Sequence, residues 1–324
     1  MGIDVSKSTI DAHIFVKKVS STFCNNNKGF RKLFTWLKTN KINLSELIIC
    51  FEHTGIYSVR LSLFLESKNR PYCVIPGMEI KKSLGMVRGK NDSVDTIRIA
   101  DYTYLRREKL TPFKMPSGSI QKLQKLNTLR TKLVTHRASY ISNMKESKEI
   151  FVMSENEIFF KVQESMKQKL DKEIRKVNEE ILKIITEDEE LKKTYNLLNT
   201  ISGIGPVLAV NFIIITNGFK TFTDSRKFAC YCGIVPFNYQ SGTSVRSASK
   251  VSHYADKKMK SLLNLAAFSA IQYSSEMKIF YERRVKEGKS KMSTINIVRN
   301  KIVHRAFAVV KRGTPYVELS KHAA

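Results

Sequence analysis

Residues 2–15, GIDVSKSTIDAHIF, begin two apolar stretches, GIDVS and TIDAHIFV, that read as β-strands. Working outward, a helix is expected near FRKLFTWLKTN (30–40), a strand in ELIICFEH (46–53) and a helix in SVRLSLFLESK (58–68). A strand in PYCVIP (71–76) and a helix containing KNDSVDTIRIADY (90–102) follow. Strands alternating with helices indicate α/β layering, in which helices cover the faces of a sheet. Pro112, Pro116 and Gly118 interrupt the alternation, so the first domain is expected over residues 1–112.

Beyond it the chain is charged and helical to about Asn199, with hardly a turn signal. Ile174, Val177, Ile181 and Ile184 recur at three- and four-residue steps between Lys and Glu, the pattern of a coiled-coil seam or a helical hairpin. Residues 113–196 are therefore expected to form a helical coiled-coil arm suited to spacing or dimerisation. Residues 197–324 form the third segment, with helices in MKSLLNLAAFSAIQYSS and TINIVRNKIVHRAFAVV whose apolar residues face a core.

Charge indicates the partner. The 324 residues include 56 Lys plus Arg against 29 Asp plus Glu, a formal net charge of +27, which is the footprint of a protein that binds a polyanion. With 42% hydrophobic residues the chain can bury real cores. Its longest apolar run, PVLAVNFIII from Pro206, spans roughly half a bilayer and contains Asn211, so no transmembrane helix is expected. The start MGIDVS formally fits a myristoylation pattern, but Gly2 reads better as part of a buried strand. The cysteines (Cys24, Cys50, Cys73, Cys230, Cys232) make no CxxC pair and have no His at metal-ligand spacing, so reduced thiols in a cytoplasmic protein are expected.

Within this basic chain Asp92 and Asp95 stand three positions apart, which on a helix directs both carboxylates to one side. Two such groups can hold a hard cation. They can equally serve as an N-cap and a first-turn acid favoured by the helix dipole. Asp4 lies in an apolar strand and Glu52 ends the run LIICFE; each can also be an ordinary edge or loop acid. An α/β sheet sets its strand ends side by side, so Asp4, Glu52, Asp92 and Asp95 can converge on one crevice. Four carboxylates there repel unless cations neutralise them, and two Mg²⁺ (or Mn²⁺) ions suit an all-oxygen set acting on a phosphodiester.

Two further stretches carry chemistry. ISGIGPVLAV (201–210) joins a glycine turn to Pro206 at a first helical position, leaving backbone N–H groups at Gly203 and Gly205 to meet a phosphate. The same residues also suit an ordinary turn between helices. GIVPFNYQSGTSVRSASKVSH (233–253) sets Ser241 in a small-residue turn, with Arg246 and Lys250 close behind as nucleic-acid contacts. His53 and His253, each beside a motif, read as solvated loop residues.

GIDVSKSTIDAHIF, FEHTGIYS, KNDSVDTIRIADY and GIVPFNYQSG, in this order, resemble transposases of the IS-one-ten (IS-eleven-eleven) insertion-sequence family, relatives of the Piv-type DNA invertases. FYERRVKEGKSK and KRGTPY extend the resemblance to the C-terminus. It implies an α/β RuvC-like (RNase H-like) N-terminal domain, the helical arm, and a mainly α C-terminal transposase domain with a helix-hairpin-helix-like element. It further implies a metal-binding tetrad of Asp4, Glu52, Asp92 and Asp95, and Ser241 as the nucleophile that joins the protein covalently to a DNA strand. A composite site, with the acids of one protomer serving the serine of another, is implied as well. So are donor and target DNA as substrates, a structured guide RNA (bridge RNA), a dimer or tetramer, and action at the nucleoid. Thr96 and Ala255 depart from the family pattern, standing where alanine and glycine are usual. Two other readings stand beside this one: an RNase H-like junction nuclease using the acids alone, and a decayed nucleic-acid-binding protein.

Overall fold

The computed structural model describes residues 1–83, 92–150, 157–241 and 245–318, leaving aside the side chains of residues 92, 93, 239–241 and 245–250. The chain divides into two compact units, Met1–Met115 and Pro116–Ala324. The first ends three residues later than expected, because Phe113 and Met115 pack into its core and the Phe113 N–H donates to Tyr72 O at 2.7 Å.

In the first unit β1 (Gly2–Val5), β2 (Thr9–Ile14) and β3 (Val19–Cys24) form an antiparallel meander. After α1 (Asn27–Thr39), strand β4 (Ile49–Glu52) returns parallel to β1. Helix α2 (Ile56–Ser67) then leads to β5 (Tyr72–Ile75), parallel to β4, and the sheet has the order β3-β2-β1-β4-β5. Helices α3 (Gly77–Ser83) and α4 (Asp92–Leu105) complete the unit. Because side chains alternate along a strand, Ile3, Val5, Ile10, Ala12, Ile49 and Phe51 share one face and are buried by α1 and α2 through Phe30, Leu33, Leu37, Leu61 and Leu65. The opposite face presents Cys50, Cys73 and Ile75 to Ile80, Ile99 and Tyr102 of α3 and α4. The sheet is thus covered on both sides, as α/β layering requires.

Strand β3 is absent from the sequence reading. Its residues, VSSTFC, alternate half-buried with exposed and carry little apolar signal. Pairing with β2, from Thr9↔Cys24 to Ile14↔Val19, makes it a strand.

In the second unit α5 (Gly118–Ile150) and α6 (Ile158–Glu187) run antiparallel, tied by Arg130 Nε to Asn178 Oδ1 (2.7 Å), the Arg137–Asp171 ion pair and Gln163 Nε2 to Asn143 Oδ1 (3.1 Å). Val177, Ile181 and Ile184 of the expected seam are buried, in the same core as Ile120 and Leu123 of α5 and the helices that follow. A break that the sequence reading passed over falls at Asp188, whose carboxylate accepts from the Leu191 N–H (3.2 Å) and caps α7 (Glu189–Asn199). Helix α8 (Pro206–Thr216) is buried on nearly every side, which accounts for its apolar composition. Its Asn211 is satisfied by the Asn127 amide (Nδ2 to Oδ1, 3.0 Å) and by Val207 O (2.7 Å). Among the described residues no helix is long and apolar enough to cross a membrane. The remainder comprises α9 (Ser225–Tyr231), a hairpin of β6 (Pro236–Ser241) and β7 (Val245–Val251), then α10 (Lys257–Tyr273), α11 (Ser275–Lys286) and α12 (Lys291–Arg312).

Candidate active site

Strand register decides where the acids of the first unit stand. Gly2 pairs with Cys50 and Ile3 with Phe51, so the next positions, Asp4 and Glu52, occupy neighbouring places at the carboxyl ends of two parallel strands. Period two sets Asp4 on the same face as Gly2, and Glu52 on the same face as Cys50. That face is the one α4 covers. A methyl group at Gly2 would stand 2.3 Å from Ala100 N, so only glycine lets the helix backbone lie so close to the strand. Tyr104 stacks on Phe15, ring centroids 4.1 Å apart, near the start of β1. With Ala100 over Gly2, α4 therefore runs against β1, and its N-terminal turns approach the strand's carboxyl end. Asp95, about 7–8 Å along the helix axis from Ala100, is carried toward Asp4.

Asp4 and Glu52 are half-buried. Gly77 holds Glu52 in place: a methyl group there would lie 1.9 Å from Glu52 Oε1, so the bare Cα forms one wall of the carboxylate's seat. Asp95 is 30% exposed and pairs with Arg98 Nη1 at 2.8 Å, one turn further along α4. Asp11, which the sequence reading did not single out, lies directly opposite Asp4 in the β1–β2 register and accepts a hydrogen bond from Thr22. Like charges facing each other across a strand pair are unfavourable, so this end of the sheet favours a counter-cation. The signal was available in sequence, since the short Ser6–Lys7–Ser8 link fixes which residues of the two strands face each other.

The all-oxygen donor set suits Mg²⁺ or Mn²⁺. Among the described residues, however, no three His, Cys, Asp or Glu side chains come near enough to share one ion. Asp95 is turned to Arg98 and Asp11 to Thr22. Asp92 is the first residue of α4, and its side chain lies outside the described residues. His53 is exposed, its Nδ1 accepting only a 3.4 Å bond from the Gly55 N–H, and His253 is exposed as well.

Asn25, 3% exposed, braces the same end of the sheet. Its Nδ2 donates to Ser6 O (2.8 Å) just past β1 and to Tyr57 O (3.1 Å) in the first turn of α2. It ties the turn after Asp4 to the helix after Glu52.

In the second unit Ser241 is the last residue of β6 and pairs with Val245, so it stands at the hairpin's closed end. The sequence reading set Ser241 in a small-residue turn, whereas it belongs to a strand; residues 242–244 and the side chains of Ser241, Arg246 and Lys250 lie outside the described residues. The hairpin's roots are described. Gly233 (φ +64°) meets Ala255, to which an added methyl would come within 2.4 Å. The Asp256 N–H donates to Tyr231 O at 3.0 Å, and the Tyr231 hydroxyl donates to Asp256 Oδ2 at 3.2 Å. Burial first, then the Asp256 charge, pushes the Tyr231 pKa up to about 12. Lys258, in the first turn of α10, donates to Thr131 Oγ1 at 2.8 Å, and burial holds its pKa down.

The two glycines of the 201–210 turn differ. Gly203 has φ +94°, and a methyl group there would meet Ala266 O of α10 at 2.3 Å; its face is occupied by packing. Gly205 caps α8, and no atom lies within 4 Å of where its side chain would point.

Comparison with known proteins sets these features beside established families. Residues 1–147 match a family described as Transposase, the DEDD type of IS110 elements, and residues 195–282 match the family described as Transposase IS116/IS110/IS902. Pilin gene-inverting proteins of Moraxella lacunata and Moraxella bovis are each 27% identical to the chain over 325 residues, covering 98% of it and 97% of their own length.

Proposed function

For a chain whose residues 1–147 and 195–282 match IS110-type transposase families, we propose a DNA transposase or recombinase reaction in which Ser241 is the nucleophile and Asp4, Glu52, Asp92 and Asp95 are the metal ligands. The observation that supports the proposal is that Asp4 and Glu52 occupy neighbouring places at the carboxyl ends of two parallel strands, on the face where α4, the helix that bears Asp95, packs with Ala100 over Gly2. Ser241 Oγ attacks the phosphorus of a DNA strand, its proton passing to a base. The bond from phosphorus to the deoxyribose oxygen breaks, that oxygen leaves as a hydroxyl, and the strand is held as a phosphoserine ester. Attack of another strand's hydroxyl on the ester restores the serine and rejoins DNA without external energy. When bound at the carboxylates, Mg²⁺ or Mn²⁺ supplies charge neutralisation and polarises the phosphodiester. Gly77 and Asn25 keep the acid-bearing elements in register.

The same reading includes a structured guide RNA that selects donor and target DNA, and assembly into a dimer or tetramer through the long α5–α6 hairpin. The +27 charge supports the carriage of two nucleic acids. Gly205, open at the start of α8, remains the better of the two glycines for a phosphate contact, while on β7 Arg246, opposite Gln240, lies beside the hairpin turn and Lys250, opposite Phe237, lies near its root. All of this chemistry suits a DNA-handling compartment, the bacterial or archaeal cytoplasm.

The test is a covalent adduct. The chain, purified with its bound nucleic acid, is incubated with plasmid DNA carrying the sequences that flank its gene, and the protein–DNA species is digested and mapped. An adduct at Ser241, lost in Ser241→Ala and in Asp95→Asn, is the expected result. Cleavage that survives Ser241→Ala favours the junction nuclease that uses the acids alone. No cleavage by any form of the protein favours the decayed binding protein.

A further inference from the structure

Arg299 is an anomaly in the second unit. It is 6% exposed on α12, yet its partners are neutral: Nη1 donates to Asn296 Oδ1 at 3.3 Å, Nη2 donates to Asn264 Oδ1, and Nε has no partner. Arginine is rarely buried this deeply unless paired with an acid. Among the described residues it forms no ion pair, and burial lowers its pKa. The penalty of burying this charge calls for a compensating role.

Asn296 supplies one. Asn296 and Arg299 lie one turn apart on the same side of α12. An amide can present either end to a neighbour, but a cation on one side and a carbonyl on the other leave a single arrangement. With Oδ1 held by Arg299, Asn296 Nδ2 must face Ile234 O, and it does so at 2.6 Å. The Ile234 N–H in turn donates to Ala229 O at 3.1 Å. Both backbone groups of Ile234 are thereby fixed, two residues before β6 begins, while Gly233 against Ala255 and the Asp256–Tyr231 bonds fix the other leg. Ser241 lies at the far end of β6, whose six residues span roughly 20 Å beyond this root. A small rotation at the root becomes a large displacement at the tip.

We propose that Asn296, oriented by the buried Arg299, is a positioning residue that aims the hairpin carrying Ser241. This rests on Ser241 being the nucleophile, and Asn296→Asp tests it. The aspartate keeps the shape and gives Arg299 a counter-ion, but it removes the donor to Ile234. In the 324-residue chain we expect an unchanged or higher melting temperature, plasmid affinity within about twofold of the parent, and adduct formation at saturating DNA slowed by about 10- to 100-fold. Backbone amide exchange should quicken over residues 234–241. Arg299→Met, which frees the amide to flip, should slow adduct formation in the same way.

Adduct formation at the parent rate in Asn296→Asp overturns the proposal. A melting temperature that falls in proportion to the rate also overturns it, because the strut would then be merely structural. If Ser241→Ala still forms the adduct, the nucleophile reading fails by itself, and the strut is judged from exchange alone: unchanged protection of residues 234–241 in Asn296→Asp refutes it.

Discussion

The acids of the first unit and the serine of the second are held by opposite strategies. Asp4 and Glu52 sit on adjacent parallel strands, so hydrogen bonding between those strands fixes their separation directly. Ser241 sits at the closed end of a two-stranded hairpin, and what fixes it acts at the far end, through Gly233, Ile234 and Asp256. A sheet interior tolerates little error and needs little support. A hairpin end borrows its precision from its roots. Mutations in the first unit should therefore act where they are made, whereas those in the second act at a distance.

The largest effect is expected at Gly77. Gly77→Ala puts a methyl group into the seat of the Glu52 carboxylate, 1.9 Å from Oε1. DNA cleavage should fall by about 100-fold, since a displacement on the order of 1 Å costs that much, with little change in melting temperature. A variant as active as the parent would show that Glu52 need not occupy its observed place.

Next comes the contrast between Gly203 and Gly205. Gly203→Ala combines a strained φ of +94° with a 2.3 Å approach to Ala266 O, and should cost about 2–3 kcal/mol in chemical denaturation. Gly205→Ala, with φ −99° and open space, should leave stability almost unchanged, so a loss of DNA affinity in this variant would support the proposed phosphate contact. Equal destabilisation by both would erase the distinction.

A smaller change, about 1–2 kcal/mol, is expected for Gly233→Ala at φ +64°. Adding Ala255→Gly should recover the steric part and leave the backbone part. Recovery of adduct formation in step with stability would locate the hairpin's aim in its roots.

The smallest effect concerns pH. His13, 6% exposed with Nδ1 2.8 Å from Ser20 Oγ, has its pKa lowered by burial, with Asp101 opposing. The unfolded chain therefore binds the proton more readily than the folded one. Its contribution is fully present above the ordinary histidine pKa of about 6.5 and is lost as pH falls through and below that value. Urea midpoints measured between pH 7.5 and 5.5 should decline slightly, and His13→Gln should flatten the decline.

The first unit was legible where pattern and structure share a cause. β1, β2, β4 and β5 announced themselves through apolar runs, and α1, α2 and α4 through the change of period. β3 did not, because a half-exposed edge strand with two serines becomes a strand only by pairing with β2. Asp188 ended a helix with a single capping side chain, a signal easily lost in a charged segment. The hairpin of β6 and β7 was hidden for a similar reason, since its residues read as turn formers until they pair.

Chemistry divides in the same way. The sequence alone determined the strongly basic charge that suits a polyanion, that the first unit layers helices on a sheet, and which acids and which serine were available, because these depend on side-chain type and local period. Only the tertiary structure decided that Asp11 faces Asp4, that Gly77 bounds the seat of Glu52, that Gly203 is consumed by packing, and that a buried arginine on α12 orients an amide toward the hairpin root. Each of these depends on groups far apart in the chain being pressed together, and that is settled by burial and register across the whole unit rather than by any residue's own preference.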